Sequence, residues 1–238
     1  MKIPFTDYDF WAYLSAGFLF LFALDYVLQT GVLLRPEWTV VQGVVATSCA
    51  YVLGHIFAGL SSAIFEERVL GLWLGKPRDL LFGTGSEPKW FRFLFPTYFK
   101  ALPEETQRAA LMRAASAGIM KPGEGMFWVA YDAARNNKVV MDRMNSFLNL
   151  YGFCRNVAFV AFVDAVVLAV SHYYFEAPKS DLWWALAAVV IGICMFFRYL
   201  KFYRHFALEV YTSYAAGNNS APNLANRHRV RAVSIWQH

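Results

Sequence analysis

Hydrophobic side chains gather in four long runs, at residues 10–34, 39–65, 151–175 and 182–200. Each is long enough to cross a hydrocarbon core of about 30 Å as a helix rising about 1.5 Å per residue. Short polar breaks at 35–38 and 176–181 join the runs in pairs, and Pro36 and Trp38 suit a turn at a membrane boundary. Between the pairs the pattern changes. Residues 76–88 carry Pro, Gly and Ser and read as a loop, followed by the aromatic and basic stretch KWFRFLFPTYFK at 89–100. Pro103 with Glu104 and Glu105 opens a helix that runs to about Ala117 and stops near Gly118, since proline fits the first turn and acids suit the positive end of the helix dipole. A second loop follows at 121–125, and from Met126 a helical pattern continues unbroken into the third run. Residues 198–214 extend the fourth run as a polar-faced helix; 217–225 is a polar connection, and the tail RHRVRAVSIW alternates like a short strand or stays disordered.

These elements predict an all-α polytopic membrane protein, with four transmembrane helices and a small helical cytosolic domain. The expected division is a first transmembrane hairpin at 1–65, a cytosolic helical insertion at 66–148, a second hairpin at 149–200, and a cytosolic helix with a basic tail at 201–238. Threading the runs puts all but Arg35 and Lys179 of the 22 Lys and Arg residues on one face. Basic residues are retained on the cytoplasmic side, so both termini are expected in the cytoplasm of a bacterial inner membrane. Arg68, Arg143, Arg155, Arg198, Lys201 and Arg204, all close to span ends, agree. Arg155 and Asn156, at the start of the third run, read as interface anchors. The opening MKIPFTDYDFW lacks the basic region and cleavage site of a signal peptide, so the first run is expected to be retained.

Composition narrows the chemistry. A chain of 238 residues that is 58% hydrophobic is too apolar for an ordinary soluble domain. Its net charge of +5 favours anionic lipid headgroups or nucleic acid. Cys49, Cys154 and Cys194 all lie inside apolar runs and form no disulfide or zinc pattern. No HExxH, Gly-rich phosphate loop, GxSxG elbow or paired metal-ligand spacing occurs, so neither catalysis nor a cofactor is expected.

Three groups of residues stand out. In the second run Ala46, Ala50, Gly54, Ala58 and Ser62 recur every four residues and form a small-residue ridge on one helix face. In lipid such ridges let backbones approach closely. The ridge serves packing within the subunit, a contact between subunits or a pore-lining face. Asp25, His55 and Asp164 are ionisable and fall within the runs, where an isolated charge costs at least about 2.5–3.5 kcal/mol. They read either as the lining of an ion or proton path or as packed, neutral or boundary residues, and Asp25 and Asp164 are expected at similar depth. The third group places aromatic rings among cations: Lys89 and Arg92, then Arg198, Lys201 and Arg204, then Arg227, Arg229 and Arg231. Cations that hold phosphates beside rings on which bases stack suit single strands or nucleotides, and the same composition describes an interfacial belt with lipid anchors.

The segments GHIFAGLSSAIFEERVLG, FLNLYGFCRN and RYLKFYR, together with the layout of two hairpins around a helical insertion, resemble four-span bacterial inner-membrane effectors of anti-phage defence, closest to the Hailong-type membrane channel effector. The resemblance implies an oligomeric channel, a tetramer in that family. It also implies a partner nucleotidyltransferase whose single-stranded DNA oligomer binds the effector and holds it inactive, with loss of that ligand opening the channel. It assigns no residue a role. Two other classes stay open: a non-catalytic scaffold binding anionic lipid, and a small proton-coupled transporter using Asp25 and Asp164.

Overall fold

The computed structural model describes residues 9–85, 89–175 and 178–217; among them every regular element is helical. The expected tail arginines Arg227, Arg229 and Arg231 lie outside the described residues.

The chain enters through a π-helical turn, Asp9–Leu14, that leads directly into α1 (Ser15–Leu28). The first apolar run continues to Leu34, but the helix does not. Gln29 turns into the left-handed region at φ 53°, and the Asp25 carboxylate accepts hydrogen bonds from the backbone N–H of Val32 and Leu33 at 2.9 and 3.2 Å. The last part of the run therefore folds back as a loop. Helix α2 (Val40–Ser61) opens with a reciprocal cap: Gln42 N–H donates to the Thr39 hydroxyl at 3.3 Å, while Thr39 N–H donates to the Gln42 side-chain oxygen at 3.0 Å. It passes into a π-helical segment, Ser62–Leu74, that ends at Gly75, which takes a positive φ of 78°.

Four short helices follow: α3 (Pro77–Leu80), α4 (Lys89–Leu94), α5 (Glu104–Ser116) and α6 (Glu124–Arg135). The unbroken helix expected from Met126 onward is interrupted. Asn137 leaves the helical region and its side chain accepts from the N–H groups of Val139 and Val140 at 3.1 and 3.4 Å, so it starts a new helix instead of continuing α6. That helix, α7 (Lys138–Tyr174), pairs with α8 (Ser180–Ala216). Each has 37 residues, about 55 Å at about 1.5 Å per residue, nearly twice a hydrocarbon core.

Among the described residues three helices are long and apolar enough to cross a membrane: the helical stretch Val40–Leu80, α7 and α8. The fourth expected crossing is a shorter apolar helix, Ala12–Leu28, because Asp25 closes the loop early.

Small residues set the packing of this first pair. A Cβ on Gly54 would stand 2.0 Å from the Tyr13 carbonyl oxygen, and one on Gly17 would stand 1.8 Å from that of Ala50. The two backbones touch, which only glycine permits. Ala50, Gly54 and Ala58 are buried in this seam, with Ala46 and Ser62 half-buried at its ends.

At the opposite end from the two hairpin turns, α5 and α6 pack on the long pair. Ala110, Ala114, Met126, Phe127, Ala130 and Ala134 share one core with Val140 and Met144 of α7 and Phe206, Ala207, Val210, Tyr211 and Tyr214 of α8. The insertion and the helix that follows the fourth apolar run are thus one domain. Arg113 ties them: it donates to the Tyr214 carbonyl at 2.8 Å and lies over the Tyr214 ring at 4.8 Å.

Candidate functional site

Helix α7 is the most buried of the long helices and carries polar groups at three levels on or beside its inward face. The innermost level, next to the domain, is a network around Arg155 and Asn156. Arg155 is 8% exposed and pairs with Glu66, donates to the Ala58 carbonyl at 3.4 Å, and reaches the Asn156 side-chain oxygen at 3.3 Å. Asn156, fully buried, accepts from the Ser61 hydroxyl at 2.8 Å and donates to the Ala12 carbonyl at 3.2 Å. One pair of adjacent residues therefore joins the entry turn, α2, the π-helical segment and α7. These side chains are buried, which corrects the expectation that they anchor at a lipid interface. Helical phase places Asn156 inward; the missing signal was Ser61 and Glu66 at matching depth on the second run.

The middle level is Asp164, 8% exposed, whose Oδ1 has no hydrogen-bond partner among the described residues. The outermost level is Asp181, at the start of α8 and 2% exposed, which accepts from the Tyr26 hydroxyl at 3.0 Å and the Ser171 hydroxyl at 3.1 Å. Those bonds tie α1, α7 and α8 together at the hairpin end.

Asp25 belongs to this outer level. It is three residues from the end of α1, bonded to its own loop through Thr30, Val32 and Leu33. The register that sets Ala12 beside Asn156 puts Asp25 level with position 169, so Asp164 lies five residues, about 7–8 Å, deeper. The similar depth expected for the two acids is therefore corrected; the register of α1 against α7 sets Asp25 outward. His55 is apart from both. Its ring is exposed on α2, stacked on Tyr13 at 3.9 Å and edge-on to Tyr51 at 4.5 Å.

The basic candidates divide. Lys89, Arg92, Arg198 and Lys201 are exposed. Phe95, just after α4, packs on Phe197 at 4.4 Å, which brings Lys89 and Arg92 to the flank of α8 that carries Arg198. Arg198 also lies over the Phe202 ring at 5.4 Å. Arg204 differs: half-buried, it donates to the carbonyls of Tyr98 and Lys100 at 3.2 and 2.6 Å, so much of its donor capacity clamps the 98–100 loop. Beside it, His205 stacks on Phe147 at 5.6 Å; burial, then the charges of Arg204 and Lys201, push its pKa below the ordinary histidine value. At the domain's edge the Glu124 carboxyl is held below its usual range by Arg78, which bonds it at 2.9 Å.

The arrangement offers charged and polar groups without a cluster of His, Cys, Asp or Glu that could hold a metal among the described residues. Compared with known proteins, the chain matches no family model, no curated protein and no solved structure.

Proposed function

We propose that this chain is one subunit of an oligomeric channel or pore-forming effector of the bacterial inner membrane. In this reading α1, α2, α7 and α8 all cross the bilayer, the domain of α3–α6 stands in the cytoplasm with both termini, and a ligand bound there sets the conducting state. The observation that carries it is the continuity of α7 and α8. Each runs without a break from the hairpin end into the core of the domain, where Val140, Met144, Val210 and Tyr211 pack against α5 and α6. A displacement of the domain moves the spans as rigid levers. A ligand shifts such an equilibrium only by binding the two states unequally, and a polyanion bridging Lys89, Arg92, Arg198 and Lys201 of neighbouring subunits would do so.

The expected ligand is a single-stranded DNA oligomer or nucleotide signal made by a partner nucleotidyltransferase in anti-phage defence, and the expected assembly is a homo-tetramer. Reconstitution tests the first part. Purified protein in liposomes should pass ions, and the flux should change when oligonucleotide is added to the face carrying the domain. Absence of flux in every ligand state rejects the channel. Labelled oligonucleotide should bind with a steep salt dependence; no binding at low salt rejects the nucleic-acid ligand.

A second reading is favoured by α4. Trp90, Phe93 and Leu94 are exposed beside Lys89 and Arg92, a composition suited to an anionic bilayer surface. A non-conducting, lipid-binding scaffold would bind anionic vesicles through these residues and show no flux.

A further inference from the structure

Asp164 has no role in that reading, yet it is the polar group the fold treats most unusually. On α7 it shares the inward face with Val157, Val160, Ala161 and Leu168, all buried. Helix α1 runs alongside in the same direction. Asn156 bonds the Ala12 carbonyl across a separation of 144 residues, and Ala16 packs in one cluster with Val160 at the same separation. That register puts Phe20 at the level of Asp164.

The carboxyl is thus set in an apolar layer. The nearest polar groups along α7 are Asn156, about 12 Å toward the domain, and Ser171, about 10 Å toward the hairpins. Of the charged and titratable groups on α8, Asp181 bonds Tyr26 and Ser171, Arg198 lies over the Phe202 ring and Cys194 is exposed. Arg155 pairs with Glu66, Asp25 holds its loop, Tyr26 bonds Asp181, and His55 stacks on Tyr13. No ion pair reaches Asp164 among the described residues. A carboxylate at this depth costs at least about 2.5–3.5 kcal/mol, and a missing hydrogen bond adds to the cost. A neutral acid avoids the larger part of it.

We propose that Asp164 is a proton-binding site inside the membrane bundle: its carboxyl holds a single proton while α1 and α7 are packed together, and releases it only when that layer is opened to water. The inference stands on the packing of α1 and α7 and does not depend on conduction. It makes proton release and separation of these helices one coupled event, so that higher pH favours the opened packing.

Dicyclohexylcarbodiimide, a lipid-soluble reagent for buried carboxylic acids, tests this on the full chain in membranes. The acid proton passes to a carbodiimide nitrogen as the carboxyl oxygen bonds to the central carbon. The resulting O-acylisourea rearranges to an N-acylurea, and nothing leaves. The expected result is one adduct, mapped by peptide mass to Asp164, that falls off as pH is raised and is not given by a water-soluble carbodiimide. Asp164→Glu should keep the adduct and Asp164→Asn should lose it. The wild-type protein alone decides the matter even if the variants misfold. An adduct absent from Asp164 at acid pH, or formed there equally well by the water-soluble reagent, overturns the proposal.

Discussion

Replacing Gly54 by alanine tests the seam on which the first helix pair depends. The added Cβ would stand 2.0 Å from the Tyr13 carbonyl oxygen, 2.5 Å from its carbon and 2.8 Å from its Cα. Non-bonded heavy atoms rest at about 3.5–4.0 Å, so the backbones must part by roughly 1.5 Å. The obstacle is main chain, which cannot rotate aside. Parting them also loosens the Asn156 bond to Ala12, one residue from Tyr13. Overpacking of this kind costs about 1–3 kcal/mol, and the upper part of that range applies here. Gly59→Ala on the same helix is the control, because a Cβ there meets nothing within 4 Å. It should be neutral or gain up to about 1 kcal/mol from helix propensity. Unfolding of the purified protein in mixed micelles, followed by tryptophan fluorescence, should show Gly54→Ala destabilised relative to both Gly59→Ala and wild type, and Gly54→Leu more so. Equal midpoints for Gly54→Ala and Gly59→Ala would refute the reasoning.

Removing one partner of the buried pair, as in Arg155→Met or Glu66→Gln, should cost about 3–5 kcal/mol, whereas the double change Arg155→Met/Glu66→Leu should recover much of the loss; additive effects in a double-mutant cycle would argue against direct coupling. Asp25→Ala frees the Val32 and Leu33 amides and should loosen the loop that follows α1, read as faster protease cleavage in the 29–38 loop with the domain unaffected. The Glu124 carboxyl has its pKa lowered by Arg78, so the pair's stabilisation is present above the ordinary glutamate value and lost as pH falls through the lowered one; Arg78→Met should flatten that dependence in thermal unfolding. His205 also has a lowered pKa, and for a base this means stability that is intact above the ordinary histidine value and declines as pH drops below it. His205→Phe should remove that decline while keeping the stack on Phe147.

The order of apolar and polar residues by itself determined that the chain is helical, where the long helices fall, that α5 begins after Pro103, and that one side of the second run is built for close approach. Those properties are local: length, periodicity and capping chemistry act within a few residues of one another. The tertiary structure decided what each feature faces. It turned the small-residue ridge toward Tyr13 and α1, because only the register between helices 40 residues apart in sequence brings Gly54 against a backbone carbonyl. It buried Arg155 and Asn156, whose partners Glu66, Ser61 and Ala12 come from distant segments. It spent Arg204 on loop carbonyls and Asp25 on its own turn, and left Asp164 alone in an apolar layer. A side chain's chemistry is written in its position, but its neighbours depend on how separate helices are rotated and set in depth, and no single helix encodes that.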